Sequence, residues 1–240
     1  MNKSPIVITG AGQRLGLALA KELIQAGESL VISYRTEKPS IKALSKLGAH
    51  CIHADFASQD GIKGFIDEII GHYQSIRAIV HNASDWLAES ADIEPHILMS
   101  KMLQVHVQAP YQINLALTPL LERYYNDTKC TSDVIHLTDF VVDKGSKKHI
   151  AYCASKAALA NLTLSFASKL APKVKVNSIA PALLMFNEHD DEAYKQKALK
   201  KSLLQIEPGE HEGVKAVQYL LSSNYITGHT LHLNGGRNIV

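Results

Sequence analysis

Short apolar runs alternate with longer amphipathic segments along most of the chain. Seven of these runs predict strands, because each is apolar at consecutive positions and ends at turn-forming or polar residues. The predicted strands are Ile6–Thr9, Leu30–Tyr34, Cys51–Ala54, Ala78–Val80, Val134–Leu137, Val174–Ile179 and Thr230–Leu233. Strands that are apolar on both faces indicate a parallel sheet that is covered by helices on both sides.

The segments between these runs carry apolar residues at helical spacing. Leu15, Leu19 and Leu23 recur every four residues, and Gly27 stops the pattern. The predicted helices are Arg14–Ala26, Pro39–Leu47, Gln59–His72, Ile97–Tyr125 and Ala151–Leu170. The alternation predicts the α/β class, with a Rossmann-like, doubly wound, seven-stranded parallel sheet that binds ligands at the carboxyl ends of its strands.

A more polar segment, Asn187–Lys201, has acidic residues first and lysines later. That order complements a helix dipole and predicts a surface helix.

Composition places this sheet in one domain over residues 1–240. The chain is 46% hydrophobic and has no repeat or Pro/Gly/Ser-rich linker. Its formal net charge is only +2 with scattered basic residues, so we expect no nucleic-acid partner. No apolar run approaches the ~20 residues of a bilayer span, so we expect no membrane partner.

Cysteine and histidine positions argue against a disulfide framework and a metal site. Cys51, Cys130 and Cys153 show no CxxC spacing, which is typical of a reduced, cytoplasmic protein. His50 and His53 are three apart on a predicted strand and so point to opposite faces. Without ligand spacing, no metal is expected.

The turn between the first strand and first helix is rich in glycine, at Gly10, Gly12 and Gly16. Glycine permits positive φ and close approach to a diphosphate, and the helix start offers free N–H groups, here including that of Leu15. This context predicts a dinucleotide site, and a tight turn without a ligand is the alternative.

The residues after the second strand predict the type of nucleotide. Tyr34, Arg35 and Thr36 stand where an NAD site usually offers an acid to the ribose. Arg35 could bind a 2′-phosphate, and Arg14 in the turn could reach the same group. NADPH is therefore the expected cofactor, against the alternative of two surface arginines.

Two further strand ends could line the cofactor. Asp55 could accept from the adenine amino group, and Asn82, Ala83 and Ser84 would lie beside the cofactor's path. Either group could instead cap a βα turn.

Tyr152 and Lys156 lie four apart near the start of a predicted helix and share a face. A phenol titrates near ~10, and a nearby ammonium favours its ionised form. The pair predicts a tuned proton donor, with Lys156 also able to hold the nicotinamide ribose. An ordinary exposed helical face is the alternative.

These motifs together resemble the short-chain dehydrogenase/reductase family over nearly the whole chain. The matching segments are Thr9–Gly16, Asn82–Ser84, Tyr152–Lys156, Val176–Pro181, Ile226–Gly228 and Gly235–Gly236. The resemblance implies an oxidoreductase fold in which Pro181 belongs to the segment that covers the nicotinamide. It also implies a homotetramer packed through the long helices.

Three residues depart from the family pattern. Arg14 replaces a glycine, Asp139 replaces the serine thirteen positions before Tyr152, and His106 stands where an asparagine is usual. The first two, with Trp86 just after Asn82–Ser84, resemble the pteridine reductases of this family. His106 leaves a water relay of the asparagine-containing relatives in doubt.

The resemblance implies hydride transfer from NADPH to C6 of a 7,8-dihydropterin, with a proton delivered to N5. It assigns the catalytic network to Tyr152, Lys156 and Asp139 and leaves the immediate proton donor open. Substrate contacts are expected from Ser84, Trp86, Asp139, Tyr152 and Phe186, with Trp86 as a stacking wall. Dihydrofolate is a possible further substrate.

Two other functions are compatible with the fold. A carbonyl or alcohol dehydrogenase would need a donor where Asp139 stands, and an ionised carboxylate cannot donate. A non-catalytic NADPH sensor would not need the pair of Tyr152 and Lys156, and fold alone never establishes activity.

Overall fold

Seven parallel strands form one continuous sheet through the middle of the computed structural model, which describes residues 4–90 and 92–239. The strands are β1 (Ile6–Ile8), β2 (Leu30–Tyr34), β3 (His50–His53), β4 (Ala78–His81), β5 (Ser132–Leu137), β6 (Val174–Pro181) and β7 (Thr230–Leu233). Their order is β3-β2-β1-β4-β5-β6-β7, and every adjacent pair is parallel. The predicted seven-stranded parallel sheet is confirmed.

Helices cover both faces of this sheet. They are α1 (Arg14–Gln25), α2 (Pro39–Lys46), α3 (Gln59–His72), α4 (Pro95–Leu103), α5 (Ala109–Thr128), α6 (Ile150–Leu170), α7 (Glu192–Leu199) and α8 (Glu210–Ser222). Alternate residues of a strand point to opposite faces, so Ile6 and Ile8 of β1 pack with α1, α2 and α8. Val7 packs with α3, α5 and α6 on the other face. The doubly wound arrangement therefore follows from strands that are apolar at every position.

The order of the strands reverses between β1 and β4. The chain first builds outward from β1 through β2 to β3, then returns to place β4 on the other side of β1. In such sheets the crevice at the carboxyl ends of the two central strands is where ligands bind. The glycine turn after β1 and the Asn82–Ser84 segment after β4 both lie at this crevice.

Three elements differ from the sequence prediction. The helix predicted at Ile97–Tyr125 runs from Pro95 to Thr128 and is divided by a π-helical turn over Gln104–Gln108. The segment Asn187–Lys201 is an α-helix only over Glu192–Leu199, because the Asp191 carboxylate accepts from the N–H of Tyr194 and starts the helix there.

Helix α8 was not predicted, although its apolar residues recur at helical spacing. It packs against α1 at Gly213, where an added Cβ would lie 2.6 Å from Cδ1 of Leu15. The side chain of Leu15 is therefore buried in the core between α1 and α8. No helix of the described residues has the length and apolar character needed to cross a bilayer.

Candidate active site

The glycine turn after β1 is shaped by residues that follow β4. The Asn82 side chain donates from Nδ2 to the carbonyl oxygens of Thr9 (3.0 Å) and Gly10 (2.9 Å). Gly10 has φ of +70°, and a Cβ there would come within 2.8 Å of the Ala83 Cα. A Cβ on Gly16 would come within 2.5 Å of Asn82 Nδ2. Asn82 and Ala83 thus hold the turn in place, and their close approach leaves no room for a side chain at Gly10 or Gly16.

The start of α1 is suited to a diphosphate. Its N-cap residue Gln13 makes no side-chain cap, and the first turn carries no acid. The first N–H groups of a helix have no partner within the helix and carry partial positive charge. Gly12 has no close packing neighbour, since a Cβ there would meet only Ile41 at 3.5 Å. Of Leu15, only the backbone N–H is available to a ligand, because its side chain is buried.

The two arginines expected at the 2′-phosphate have separate partners in the structure. Arg14 donates to Asn187 Oδ1 (2.8 Å) and to the carbonyl of Met185 (3.2 Å). Arg35 donates from Nη1 to both carboxylate oxygens of Asp85, at 2.9 and 3.0 Å. Arg14 ties the glycine turn to the segment before α7 in this conformation. The shared contact of Arg14 and Arg35 with a 2′-phosphate stays a prediction.

The remaining candidates at the nucleotide end lie close to Arg35. Tyr34 packs edge-on against His53 with ring centroids 5.5 Å apart, and Thr36 is exposed. Asp55 accepts at Oδ1 from the N–H of Ala57 at 3.0 Å. Asp55 therefore caps the turn after β3, which is one of the two roles that the sequence suggested for it.

A hydrogen bond joins the candidate catalytic tyrosine and carboxylate. Tyr152 Oη donates to Asp139 Oδ2 at 2.8 Å, and the other carboxylate oxygen accepts from the N–H of Val141 at 2.9 Å. Burial raises the pKa of Asp139 above its usual value. Burial and the neighbouring Asp139 carboxylate raise the pKa of Tyr152 well above that of a free phenol. The expectation that Lys156 makes Tyr152 more acidic is therefore wrong.

Lys156 is buried between the end of β5 and Tyr152. Its Nζ donates to the carbonyl of Leu137 at 2.7 Å and lies 5.7 Å from the centroid of the Tyr152 ring. Burial lowers the pKa of Lys156 to about 8, and the Asp139 charge partly offsets that effect. The predicted triad of Tyr152, Lys156 and Asp139 thus shares one site, but the ammonium faces a carbonyl and not the phenol oxygen.

His106 lies in the π-helical turn and bridges two hydroxyl groups. Its Nδ1 is 2.8 Å from Ser155 Oγ, and its Nε2 is 2.8 Å from Ser84 Oγ. Ser155 uses its own proton to donate to the carbonyl of Tyr152 at 2.7 Å. Nδ1 must therefore carry the imidazole proton, and Nε2 must accept from Ser84 and from the N–H of Asp85, 3.3 Å away.

This assignment determines what His106 can do. Burial and the charge of Lys156 lower the pKa of His106 to about 2, so the ring is neutral at working pH. The chain of hydrogen bonds ends at the backbone carbonyl of Tyr152 and so has no route to solvent along it. His106 instead holds the proton of Ser84, which leaves the oxygen lone pairs of Ser84 available to a ligand.

The loop after β4 is fixed to the start of α6. Trp86 stacks on His149 with ring centroids 4.4 Å apart and an interplanar angle of 19°. The Glu89 carboxylate accepts from the N–H groups of Ile150 and Ala151 at 2.9 and 2.8 Å, and these bonds lower the pKa of Glu89. Trp86 remains 64% exposed, so one face of the indole can meet a flat ligand.

The segment between β6 and α8 contacts the glycine turn through Arg14. Pro181 ends β6 and pairs in register with Leu233 of β7. The ring of Phe186 packs edge-on against Tyr194 of α7, with centroids 6.3 Å apart, and Lys195 Nζ lies 5.9 Å from its centroid. The ring of Phe186 therefore packs against α7 within this segment.

Comparison with known proteins identifies the family. Residues 4–197 match the short chain dehydrogenase family. The chain belongs to this family. It is 53% identical over 233 residues to dihydromonapterin reductase of Klebsiella pneumoniae, covering 97% of this chain and 96% of the relative. It is 52% identical over 235 residues to dihydromonapterin reductase of Escherichia coli, covering 98% and 97%.

A solved structure shares the fold of this chain. The FolM alternative dihydrofolate reductase 1 from Brucella canis, complexed with NADP, superposes with a TM-score of 0.86. The sequence identity is 24%, and the match covers 99% of this chain and 94% of that chain.

Several residues of the site were not singled out from the sequence. Asp85, Glu89, His149 and Ser155 act through partners that are distant along the chain, so no local pattern marks them. Ser155 lies within the quoted Tyr152–Lys156 motif, and its spacing to Tyr152 was the available signal. Among the described residues, no cluster of three or more His, Cys, Asp or Glu is arranged to hold a metal.

Asp139, whose pKa is raised by burial, is expected to supply the proton that the reduction consumes. Asp139→Asn should lower kcat by about 10²-fold or more, the usual contribution of a general acid. At pH values below the Lys156 pKa of about 8, where Lys156 is mainly charged, the wild-type rate should fall as pH rises, because deprotonation of Asp139 removes the acid. The variant's residual rate should be flat. Exposed Asp143→Asn is the control, and an unchanged slope in Asp139→Asn contradicts the assignment.

The proton assignment of His106 predicts different effects for its replacement by asparagine and by glutamine. A glutamine amide reaches the position of Nε2 and can accept from Ser84, whereas an asparagine amide reaches only the position of Nδ1. His106→Asn should raise KM for the substrate about threefold to tenfold, the effect of one hydrogen bond, and His106→Gln should not. Adding Ser84→Ala to His106→Asn should cause little further change in a double-mutant cycle. The reverse order of the two amides would contradict a role through Ser84.

Proposed function

We propose that this chain reduces a 7,8-dihydropterin to the tetrahydropterin with NADPH, and that dihydromonapterin is its main substrate. The observation that carries the proposal is the bond between Tyr152 and Asp139. It puts a carboxyl group that can release a proton to Tyr152 where carbonyl-reducing relatives have a serine, whose hydroxyl can donate a hydrogen bond but is not an acid at neutral pH. The near full-length similarity to dihydromonapterin reductases supports the same substrate class. Dihydrofolate is a side substrate in this proposal.

The nucleotide end of the crevice fits NADPH, which supplies the hydride when it is bound. The free N–H groups at the start of α1 would hold the diphosphate, and the glycine turn leaves room for it. Arg35 would bind the 2′-phosphate in exchange for Asp85, since a phosphate dianion is the stronger partner. Lys156 would donate to the ribose from its buried position.

The proton reaches N5 through Tyr152 in this mechanism. Tyr152 donates its hydroxyl proton to N5 and takes a proton from the Asp139 carboxyl, so that no isolated phenolate forms. This direction agrees with the raised pKa values of both groups, which disfavour a buried phenolate and favour a protonated carboxyl. The hydrogen bond seen from Tyr152 to Asp139 then corresponds to the state after proton delivery.

The pterin ring would lie between the nicotinamide and the exposed face of Trp86. Ser84 offers lone pairs beside this slot, and a pterin offers amino and ring N–H groups that suit such an acceptor. Phe186 and its segment would close over the ring from the side of α7.

A substrate panel tests the function. We expect kcat/KM to be highest for dihydromonapterin, lower for dihydrobiopterin and dihydrofolate, and far lower for simple ketones. Rapid NADPH oxidation with ketones and none with dihydropterins would contradict the proposal. Because Trp86 is the only tryptophan, its fluorescence should be quenched when a pterin binds to the NADP⁺ complex.

The choice of cofactor is tested at Arg35. Arg35→Asp should raise the dissociation constant for NADPH by about 10-fold to 100-fold, because a charge-assisted hydrogen bond contributes about 1.5–3 kcal/mol. Its effect on NADH should be small, since NADH has no 2′-phosphate. Equal weakening of both cofactors, measured by calorimetry, would exclude this role.

We also propose a cytoplasmic homotetramer. Tyr111 and Leu115 lie four apart on one face of α5 and are exposed, as is Leu164 of α6. An interface through these helices would bury them. Leu115→Glu with Leu164→Glu should reduce the mass found by sedimentation, whereas Leu47→Glu, at an exposed leucine after α2, should not. An unchanged mass in the double variant would contradict this interface.

A further inference from the structure

A cavity of about 140 Å³ lies between the end of α7, the start of α8 and the carboxyl end of β7. Its walls are mainly apolar and include Leu183, Leu204 and Leu233. Asn234 and Arg237, which follow β7, also line it. The mechanism above uses neither residue, so their polar groups need a separate explanation.

Asn234 presents a buried donor without an acceptor. The residue is 8% exposed, and its Oδ1 accepts from the N–H of Gly236 at 3.0 Å, which fixes the orientation of the carboxamide. Its Nδ2 has no hydrogen-bond partner among the described residues. Leaving such a group unpaired costs about 1–3 kcal/mol. A ligand oxygen that accepts from Nδ2 would remove that cost.

Arg237 presents a second donor at the same cavity. Its guanidinium lies 4.3 Å from the centroid of the Phe140 ring. Within the described part of the chain it forms no ion pair or side-chain hydrogen bond. Burial lowers the pKa of Arg237, while the charge of Asp139 opposes this effect. The guanidinium is thus partly desolvated and short of acceptors.

The position of Arg237 links the cavity to the catalytic carboxyl. The guanidinium of Arg237 lies over the ring of Phe140, which directly follows Asp139 in the chain. The Arg237 guanidinium and the Asp139 carboxylate interact electrostatically. In a dihydropterin, C6 is bonded to N5, the atom that receives the proton from the pair of Tyr152 and Asp139. A substituent on C6 must therefore leave the ring beside this pair. Arg237, which lines the cavity, lies over the ring of the residue next to Asp139.

We propose that this cavity is the subsite for the C6 side chain of the substrate, and that Asn234 and Arg237 bind oxygen acceptors on that side chain. The proposal rests on the proposed function and names the part of the substrate that the catalytic residues do not contact. Hydroxyl oxygens and carboxylate oxygens can both accept hydrogen bonds from these two donors. The other charged group at the cavity, Glu212, is already paired with Lys215 at 2.8 Å.

Three substrates and two variants test the subsite. The substrates are dihydromonapterin with a hydroxylated tail, dihydrofolate with a carboxylated tail, and 6-methyl-7,8-dihydropterin with no acceptor on its tail. Arg237→Met should reduce kcat/KM for both tailed substrates, relative to the 6-methyl compound, by about tenfold or more. The ratio removes any effect that Arg237 exerts on Asp139, because that effect is common to all three.

Asn234→Asp distinguishes the two kinds of tail. The variant keeps the acceptor for the N–H of Gly236 and replaces the Nδ2 donor with a carboxylate oxygen. Dihydrofolate should lose more than tenfold in kcat/KM, because its carboxylates are repelled, whereas hydroxyls of dihydromonapterin can donate to the new oxygen. Arg123→Met on the surface of α5 is the matched control, and thermal unfolding of every variant checks the fold.

A binding measurement gives a second readout. Calorimetry with p-aminobenzoyl-glutamate, titrated into the NADP⁺ complex, should show binding that Arg237→Met weakens about tenfold or more. An equal loss for all three substrates in Arg237→Met, or no loss for any, would overturn the subsite. A wild-type protein that reduces none of the three would instead overturn the proposed function.

Discussion

The hydrogen bond between Tyr152 and Asp139 is the interaction on which the account of this site depends. It brings together a residue that follows β5 and a residue at the start of α6, and both groups are largely withdrawn from water. Withdrawal makes ionisation of either group less favourable, and each charge opposes the other. The pair therefore holds a proton more tightly than isolated side chains would, which suits delivery of a proton to a ring nitrogen.

The surrounding structure keeps this pair in place from two directions. His106 and Ser155 fix the backbone of Tyr152 and the hydroxyl of Ser84. The loop after β4 is attached to the start of α6 through the stacked rings of Trp86 and His149. The contacts are buried or stacked, so a ligand that occupies the slot meets side chains with few alternative positions. Preorganisation of this kind reduces the cost of positioning the substrate.

The sequence predicted the sheet, the glycine turn and the grouping of Tyr152, Lys156 and Asp139, because these follow from local periodicity, spacing and a resemblance to a known family. It did not predict the acidity of Tyr152 correctly, since that depends on how burial and a carboxylate outweigh a lysine that faces the Leu137 carbonyl. It also did not predict the partners of Arg14 and Arg35, which are 173 and 50 residues away along the chain. Such contacts arise only when loops from different strands meet.

A crystal structure of the complex with NADP⁺ and a 7,8-dihydropterin tests the central claim most directly. The account predicts a pterin ring stacked between the nicotinamide and the indole of Trp86, with N5 within hydrogen-bond distance of Tyr152 Oη. A pterin bound with N5 directed away from Tyr152 and Asp139 would contradict it.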